Sequence, residues 1–147
     1  MRDLTHRSLE PEWMDAEGVD PETFAEVLAG LATVNTWTLA RPPTLRFLAH
    51  IAARKADFTL LDVGFGHGDM LRSVRRWADR RGLAPRLVGI DLDPKSEPIA
   101  RAATPADMRI DYQSGDAYAV DLAPDVIVSS LVTHHMPDAE IVRFLDW

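Results

Sequence analysis

At 147 residues, 46% of them hydrophobic, the chain carries enough apolar material for one core and too little for two. Its net charge of -7 excludes a general nucleic-acid binder, which gains most of its affinity by neutralising phosphates, and favours a small-molecule partner. Without cysteine there are no disulfides, thiol nucleophiles or thiolate metal sites. No apolar run is long enough to span a bilayer and the start is charged rather than signal-like, which predicts a cytoplasmic protein with no membrane partner.

Residues 1–19 lack periodicity and contain Pro11, Gly18 and many charges, which predicts a mobile N-terminal arm. Its Trp13 and Met14 either dock on the domain surface or close over a ligand. Asp20-Pro21-Glu22 then reads as a helix start, with Asp20 as N-cap and Pro21 at the first helical position, where its missing N–H costs nothing. Phe24, Val27, Leu28, Leu31 and Ala32 form one apolar face. Asn35-Thr36-Trp37 breaks that pattern, and Pro42-Pro43-Thr44 opens a second helix with a stripe of Leu45, Leu48, Ile51 and Ala52. Asn35, Thr36, Trp37 and Arg41 lie between the two, either as ligand-facing groups or as an ordinary interhelical loop.

Residues 58–70 organise the rest. An apolar run leads into Gly64, Gly66 and Gly68 and then into a helical pattern, hence a strand, a tight turn and a helix start. Glycine lets backbone pass close to a bound molecule and adopt positive φ, and the helix that follows turns its free N–H groups to the same spot. Dinucleotide turns use G-x-G-x-x-G around a pyrophosphate. Here the order is Asp62-x-Gly64-x-Gly66-x-Gly68, and a carboxylate just before the glycines repels phosphate and suits a cation.

Met70, Leu71, Val74, Trp77 and Ala78 predict the core face of the next helix, ended by Gly82 at C′. Arg72, Arg75, Arg76, Arg80 and Arg81 are expected to form its solvated face. Residues 86–91 read as a second strand ending in Asp91, a carboxylate able to accept both hydroxyl protons of a ribose and placed close to the ~20 residues past the glycines expected for that role. Ser96 is expected to cap a helix over 96–103. Residues 109–113 alternate as a third strand and lead into Ser114-Gly115-Asp116-Ala117. Residues 124–131 form a fourth, followed by a loop with His134 and His135. Asp138 is expected to cap a last helix over 138–147, with Ile141, Val142, Phe144 and Leu145 apolar. Adjacent histidines point apart on a regular backbone and no third ligand stands at helical spacing, so no metal site is expected. One histidine is expected to orient the loop and the other to act as a general base, a task that suits an imidazole titrating near neutrality.

Strands alternating with helices demand a parallel sheet with right-handed crossovers, an α/β architecture. The Asp62 to Gly68 stretch resembles motif I of the class I S-adenosylmethionine-dependent methyltransferases, whose cofactor carries an ammonium and a sulfonium. That resemblance implies a Rossmann-like methyltransferase fold of strand order 3-2-1-4, a helical cap over 20–56 and an S-adenosyl-L-methionine-binding domain over 57–147. It implies cofactor contacts at Asp62, Gly64, Phe65, Gly66, Gly68, Asp91, Leu92, Asp116, Ala117 and Ser130, with Asp116 receiving the adenine amine. His134-His135-x-x-Asp138 resembles the ubiquinone- and menaquinone-type methyltransferases, which makes His134 and His135 the candidate catalytic residues for O- or C-methylation of a small molecule. Family members continue with three more strands. The chain therefore reads as the cofactor-binding N-terminal portion, with strands 5–7 absent and Val126, Ile127 and Val128 on an unblunted edge open to a homodimer or a second chain. The alternatives are a dinucleotide-dependent oxidoreductase domain and a non-catalytic binding or assembly module.

Overall fold

The computed structural model describes residues 18–147. Trp13, Met14 and most of the predicted arm lie outside them. Helices α1 (Pro21–Trp37) and α2 (Arg41–Ala52) precede β1 (Thr59–Val63), α3 (Asp69–Asp79), β2 (Arg86–Asp91), α4 (Ser96–Ala102), β3 (Ile110–Ser114), β4 (Val126–Ser129) and α5 (Asp138–Asp146). The four strands are all parallel, in the order β3-β2-β1-β4. That is the order expected from the sequence.

Strand register sorts the apolar residues into two layers, because side chains alternate between faces. Leu60, Leu87, Ile110, Tyr112 and Val126 share a core with Leu71, Val74, Trp77 and Ala78 of α3, Leu48 of α2 and Ala100 of α4. On the opposite face, Leu61, Val63, Val88 and Ile90 pack against Val120, Leu122 and Phe144. Between β3 and β4 the connection carries no α-helix, only a 3-10 turn at Ala117–Ala119, so the strand-helix alternation fails there. Ala117, Val120 and Leu122 of this segment cover the sheet instead.

Local chemistry explains the helix ends. Asp20 accepts from the Thr23 N–H at 2.9 Å, capping α1 as expected. The helix does not break at Asn35: Thr36 and Thr38 return their hydroxyls to carbonyls four residues back, and Trp37 closes the last turn, 84% exposed. The break falls at Leu39, which adopts positive φ. At the end of α3 the Leu83 N–H bonds to the Ala78 carbonyl and the Gly82 N–H to that of Asp79, a Schellman closure with Gly82 left-handed. Two expected caps are not formed. Lys95 precedes α4, and Ser96 is its first residue and buried. Pro137 precedes α5, so Asp138 lies within the first turn, where its charge meets the positive end of the helix dipole.

The arginine face of α3 is also less solvated than its spacing suggests. Arg72 is buried, Arg75 donates to the Pro85 carbonyl at 2.6 Å and Arg81 lies 4.9 Å over the Trp77 ring.

Candidate functional site

At the carboxyl end of β1 the chain turns through Gly64, Gly66 and Gly68, all at positive φ. The Gly64 N–H donates to the Ile90 carbonyl, the Gly66 N–H to Asp91 Oδ2 at 2.8 Å and the Gly68 N–H to the Phe65 carbonyl, so the turn is stitched to the end of β2. A Cβ on Gly64 would collide with Val132, and one on Gly68 with the Tyr112 hydroxyl. At Gly66 it would meet only Leu28 of α1, at 3.5 Å. Thus at Gly64 and Gly68 the space reserved by glycine is taken by the protein's own side chains, not by a ligand as the sequence suggests.

Asp62 stands directly before this turn, 3% exposed. No donor or cation partners its carboxylate among the described residues. Burial first, and then the charges of Asp69 and Asp91, push its pKa well above the ordinary carboxylate range. Asp69 itself is engaged by Arg41, whose guanidinium reaches it at 2.7 Å and also donates to the Ala32 carbonyl, tying α1, α2 and α3 together. A buried acid without a partner among the described residues could hold a cationic group.

Asp91 accepts from the Gly66 N–H at Oδ2, from the Asp93 N–H at Oδ1 and from Ser96. That bond is what Ser96 makes instead of a cap. Burial raises the Asp91 pKa, and the backbone bonds oppose that shift. Each carboxylate oxygen retains acceptor capacity for a hydroxyl. Leu92 is 78% exposed beside it, and the Gly115 N–H donates to the Asp91 carbonyl at 2.8 Å, which brings Asp116 and Ala117 to the same end of the sheet. Asp116 is exposed and caps its own 3-10 turn by accepting from the Tyr118 N–H. Ala117 is half-buried against the sheet. The Phe65 ring is buried, 4.8 Å from Tyr112, so only the Phe65 backbone can border a ligand.

The far wall follows β4. Ser129 donates to the Val63 carbonyl at 3.1 Å, Ser130 is exposed after it, and Val132 covers Gly64. His134 and His135 follow on a 3-10 turn with ring centroids 4.0 Å apart. The two rings lie against each other, tilted by 38°, rather than pointing apart. Asn35, Thr36 and Arg41 line a cavity of about 270 Å³ between the α1–α2 turn and the outer side of α3, together with Ser73, Arg76 and Arg80. That cavity is not at the glycine turn. Among the described residues no three His, Asp or Glu side chains gather as a metal site.

Sequence reasoning missed Arg72, His67, Thr104 and Tyr112, which underlie the glycine turn. Their only signal was position, Arg72 being in the first turn of the helix that the glycines open.

A family profile described as a methyltransferase domain matches residues 60–146. The chain belongs to the methyltransferase domain family. No curated protein matches this methyltransferase domain, but solved structures do. Magnesium protoporphyrin IX methyltransferase of Synechocystis, solved with S-adenosylmethionine bound, is 14% identical at a TM-score of 0.61, over 90% of this chain and 60% of that one. A Listeria monocytogenes protein assigned to the class I S-adenosylmethionine-dependent methyltransferases is 19% identical at 0.58, over 87% and 44%. A Methanococcus maripaludis protein assigned to the S-adenosylmethionine-dependent methyltransferases is 20% identical at 0.55, over 89% and 59%. At these identities the likeness is one of fold, that of the class I methyltransferases. The methyltransferase domain spans 44–60% of the length of these three structures.

Proposed function

We propose that this methyltransferase domain binds S-adenosylmethionine at the glycine turn and serves methyl transfer to a small molecule in the cytoplasm. The observation that carries this reading is Asp62, buried, acidic and unpartnered among the described residues at the head of the glycine turn, where its charge would repel a phosphate. When bound, S-adenosylmethionine supplies a sulfonium-activated methyl group. Asp62 takes its ammonium, the backbone from Gly64 through Phe65 and Gly66 to Gly68 runs along it, and Asp91 accepts from its ribose hydroxyls beside Leu92. Asp116 and Ala117 border the adenine, and Ser130 closes the opposite side. Residues 20–56 act as a cap, a role supported by the contact of Leu28 over Gly66, and 57–147 as the cofactor-binding domain.

His134 and His135 are the acceptor-side groups, since Val132 of the same loop lies on Gly64. A neutral imidazole there removes the proton from an oxygen or activated carbon as it becomes the nucleophile, while the walls provide alignment. The ubiquinone-type acceptor class rests on the His134-His135-x-x-Asp138 pattern. Calorimetric titration should give binding of S-adenosylmethionine and none of NAD. Asp91→Ala should weaken it by about 1.5–3 kcal/mol, the usual cost of losing a hydrogen bond to a charged group. Binding of NAD alone would replace this reading with the dinucleotide-dependent oxidoreductase.

A second reading, an assembly module, is favoured by one observation: β4 is an edge strand and Ile127 on it is 41% exposed. In it two copies, or a second chain, pair along Val126 to Val128. Sedimentation of the parent should then show a dimer that Ile127→Lys converts to monomer, and a monomeric parent with methyl transfer removes the reading.

A further inference from the structure

Under the glycine turn lies a polar cluster with no part in the contacts proposed above. Arg72, 8% exposed, donates through Nη1 to the His67 carbonyl at 2.7 Å and to Thr104 Oγ1 at 3.2 Å, and its Nη2 lies 2.7 Å from His67 Nδ1. A guanidinium has donors only, so Nδ1 is the acceptor and the His67 proton sits on Nε2, in a neutral ring of fixed tautomer. The Tyr112 hydroxyl stands 3.0 Å from Thr104 Oγ1 and 3.4 Å from the Gly68 carbonyl. Among the described residues no carboxylate pairs with Arg72, since the nearby Asp69 is taken by Arg41. A buried cation without an acid is balanced here by the acceptors of the turn itself.

Glycines carry no side chain by which packing can hold them, and left free they lose more entropy on ordering than any other residue. The single non-glycine between Gly66 and Gly68 is His67, and Arg72 grips it at two atoms. We propose that Arg72 is a positioning residue, whose fork on neutral His67 holds the Gly66–Gly68 turn ready for the cofactor. The inference rests on the S-adenosylmethionine reading above. Protonating His67 places a proton on Nδ1, removes the acceptor and sets an imidazolium against the guanidinium. The charged groups acting on His67 are Arg72 and Asp69, both on α3; from β3, Tyr112 meets the neighbouring Gly68 carbonyl. Burial first, then Arg72, lower the His67 pKa, and Asp69 partly opposes them. The clamp is therefore intact at neutral pH and opens on the acid side of the usual histidine range.

The test compares parent, Arg72→Lys and His67→Asn by S-adenosylhomocysteine calorimetry at pH 8 and pH 5.5, with amide hydrogen exchange of residues 66–68 in the ligand-free proteins. Lysine keeps the charge without the fork, and should weaken binding about ten-fold at pH 8 and speed exchange of the turn. Asparagine can present its amide oxygen where Nδ1 lies and does not titrate. It should bind like the parent at pH 8 and lose less affinity at pH 5.5, since Asp62 and Asp91 titrate alike in both. Parent-like binding and exchange in Arg72→Lys, or a parent-like pH profile in His67→Asn, would overturn the proposal. Should the parent not bind S-adenosylhomocysteine at all, the cofactor reading falls, and exchange alone decides whether Arg72 holds the turn: faster exchange in Arg72→Lys supports it and unchanged exchange refutes it.

Discussion

Asp62→Asn should lower affinity for S-adenosylmethionine by roughly ten- to a hundred-fold while leaving the ligand-free protein as stable as the parent or more so at pH 8. The two effects have opposite signs because one carboxylate causes both. In the ligand-free protein Asp62 is buried with Asp69 and Asp91 as neighbours, and its pKa is raised well above the ordinary value of 3.8. In the unfolded chain it ionises near that ordinary value. Between the two pKa values the unfolded state gives up a proton that the folded state keeps, so stability falls with rising pH across that interval. The contribution is whole below about pH 4, where both states hold the proton, and is lost as pH rises through the native pKa. Asparagine has no proton to lose, so the variant should lack this slope in denaturant titrations taken from pH 4 to pH 8. The affinity loss reflects a charge-assisted hydrogen bond to an ammonium, worth about 1.5–3 kcal/mol. A variant that binds S-adenosylmethionine as tightly as the parent would remove Asp62 from the site.

Gly68→Ala should cost about 2–5 kcal/mol, against about 1–2 kcal/mol for Gly82→Ala, although both glycines are left-handed. At Gly82 nothing lies within 4 Å of an added Cβ, so only backbone strain is felt. At Gly68 the same strain is joined by collision with Tyr112, whose hydroxyl is held near Thr104 and whose ring packs on Phe65. Overpacking a core that cannot give adds a further 1–3 kcal/mol or so. Chemical denaturation of the two variants reads the difference. Equal losses would mean that Tyr112 moves aside freely and that the floor of the turn is soft.

These two residues show how much of the site could be read before folding. The strand, turn and helix start around Asp62 and the glycines were legible because they need only local chemistry, whereas the Val132 and Tyr112 side chains that fill the space at Gly64 and Gly68 were not. Asp20 at the head of α1 and Gly82 at the end of α3 were legible for the same local reason. Arg72 was not legible, because Arg72 and Arg76 look alike on a helical repeat and only a loop folded over one of them decides which is buried. Ser96 reads as a cap until Asp91, brought in from the end of β2, claims its hydroxyl. His134 and His135 meet on a 3-10 turn that no spacing announces. For Arg72 and Ser96 what failed was a preference of short range overruled by a partner from elsewhere in the chain.

The pairing of β4 with β1 sets an order in which the walls of the site can come together. Asp91 lies 25 residues beyond the Gly66 it binds, whereas Ser129 lies 66 residues beyond Val63. Closing the longer loop costs about 1 kcal/mol more in chain entropy, and β4 recovers it through one neighbour only, being an edge. The ribose side thus belongs to the more local part of the chain, β1 to β2, whereas the floor also draws on Tyr112 of β3. The wall carrying Val132 and the histidines should form last and open first, which amide exchange of residues 126–129 against 86–91 would read. Access to the site is in this sense a question of folding free energy: release of β4 would uncover Gly64 and free the Asp62 segment of β1 from its Val128 partner, while Asp91 on β2 keeps its neighbours.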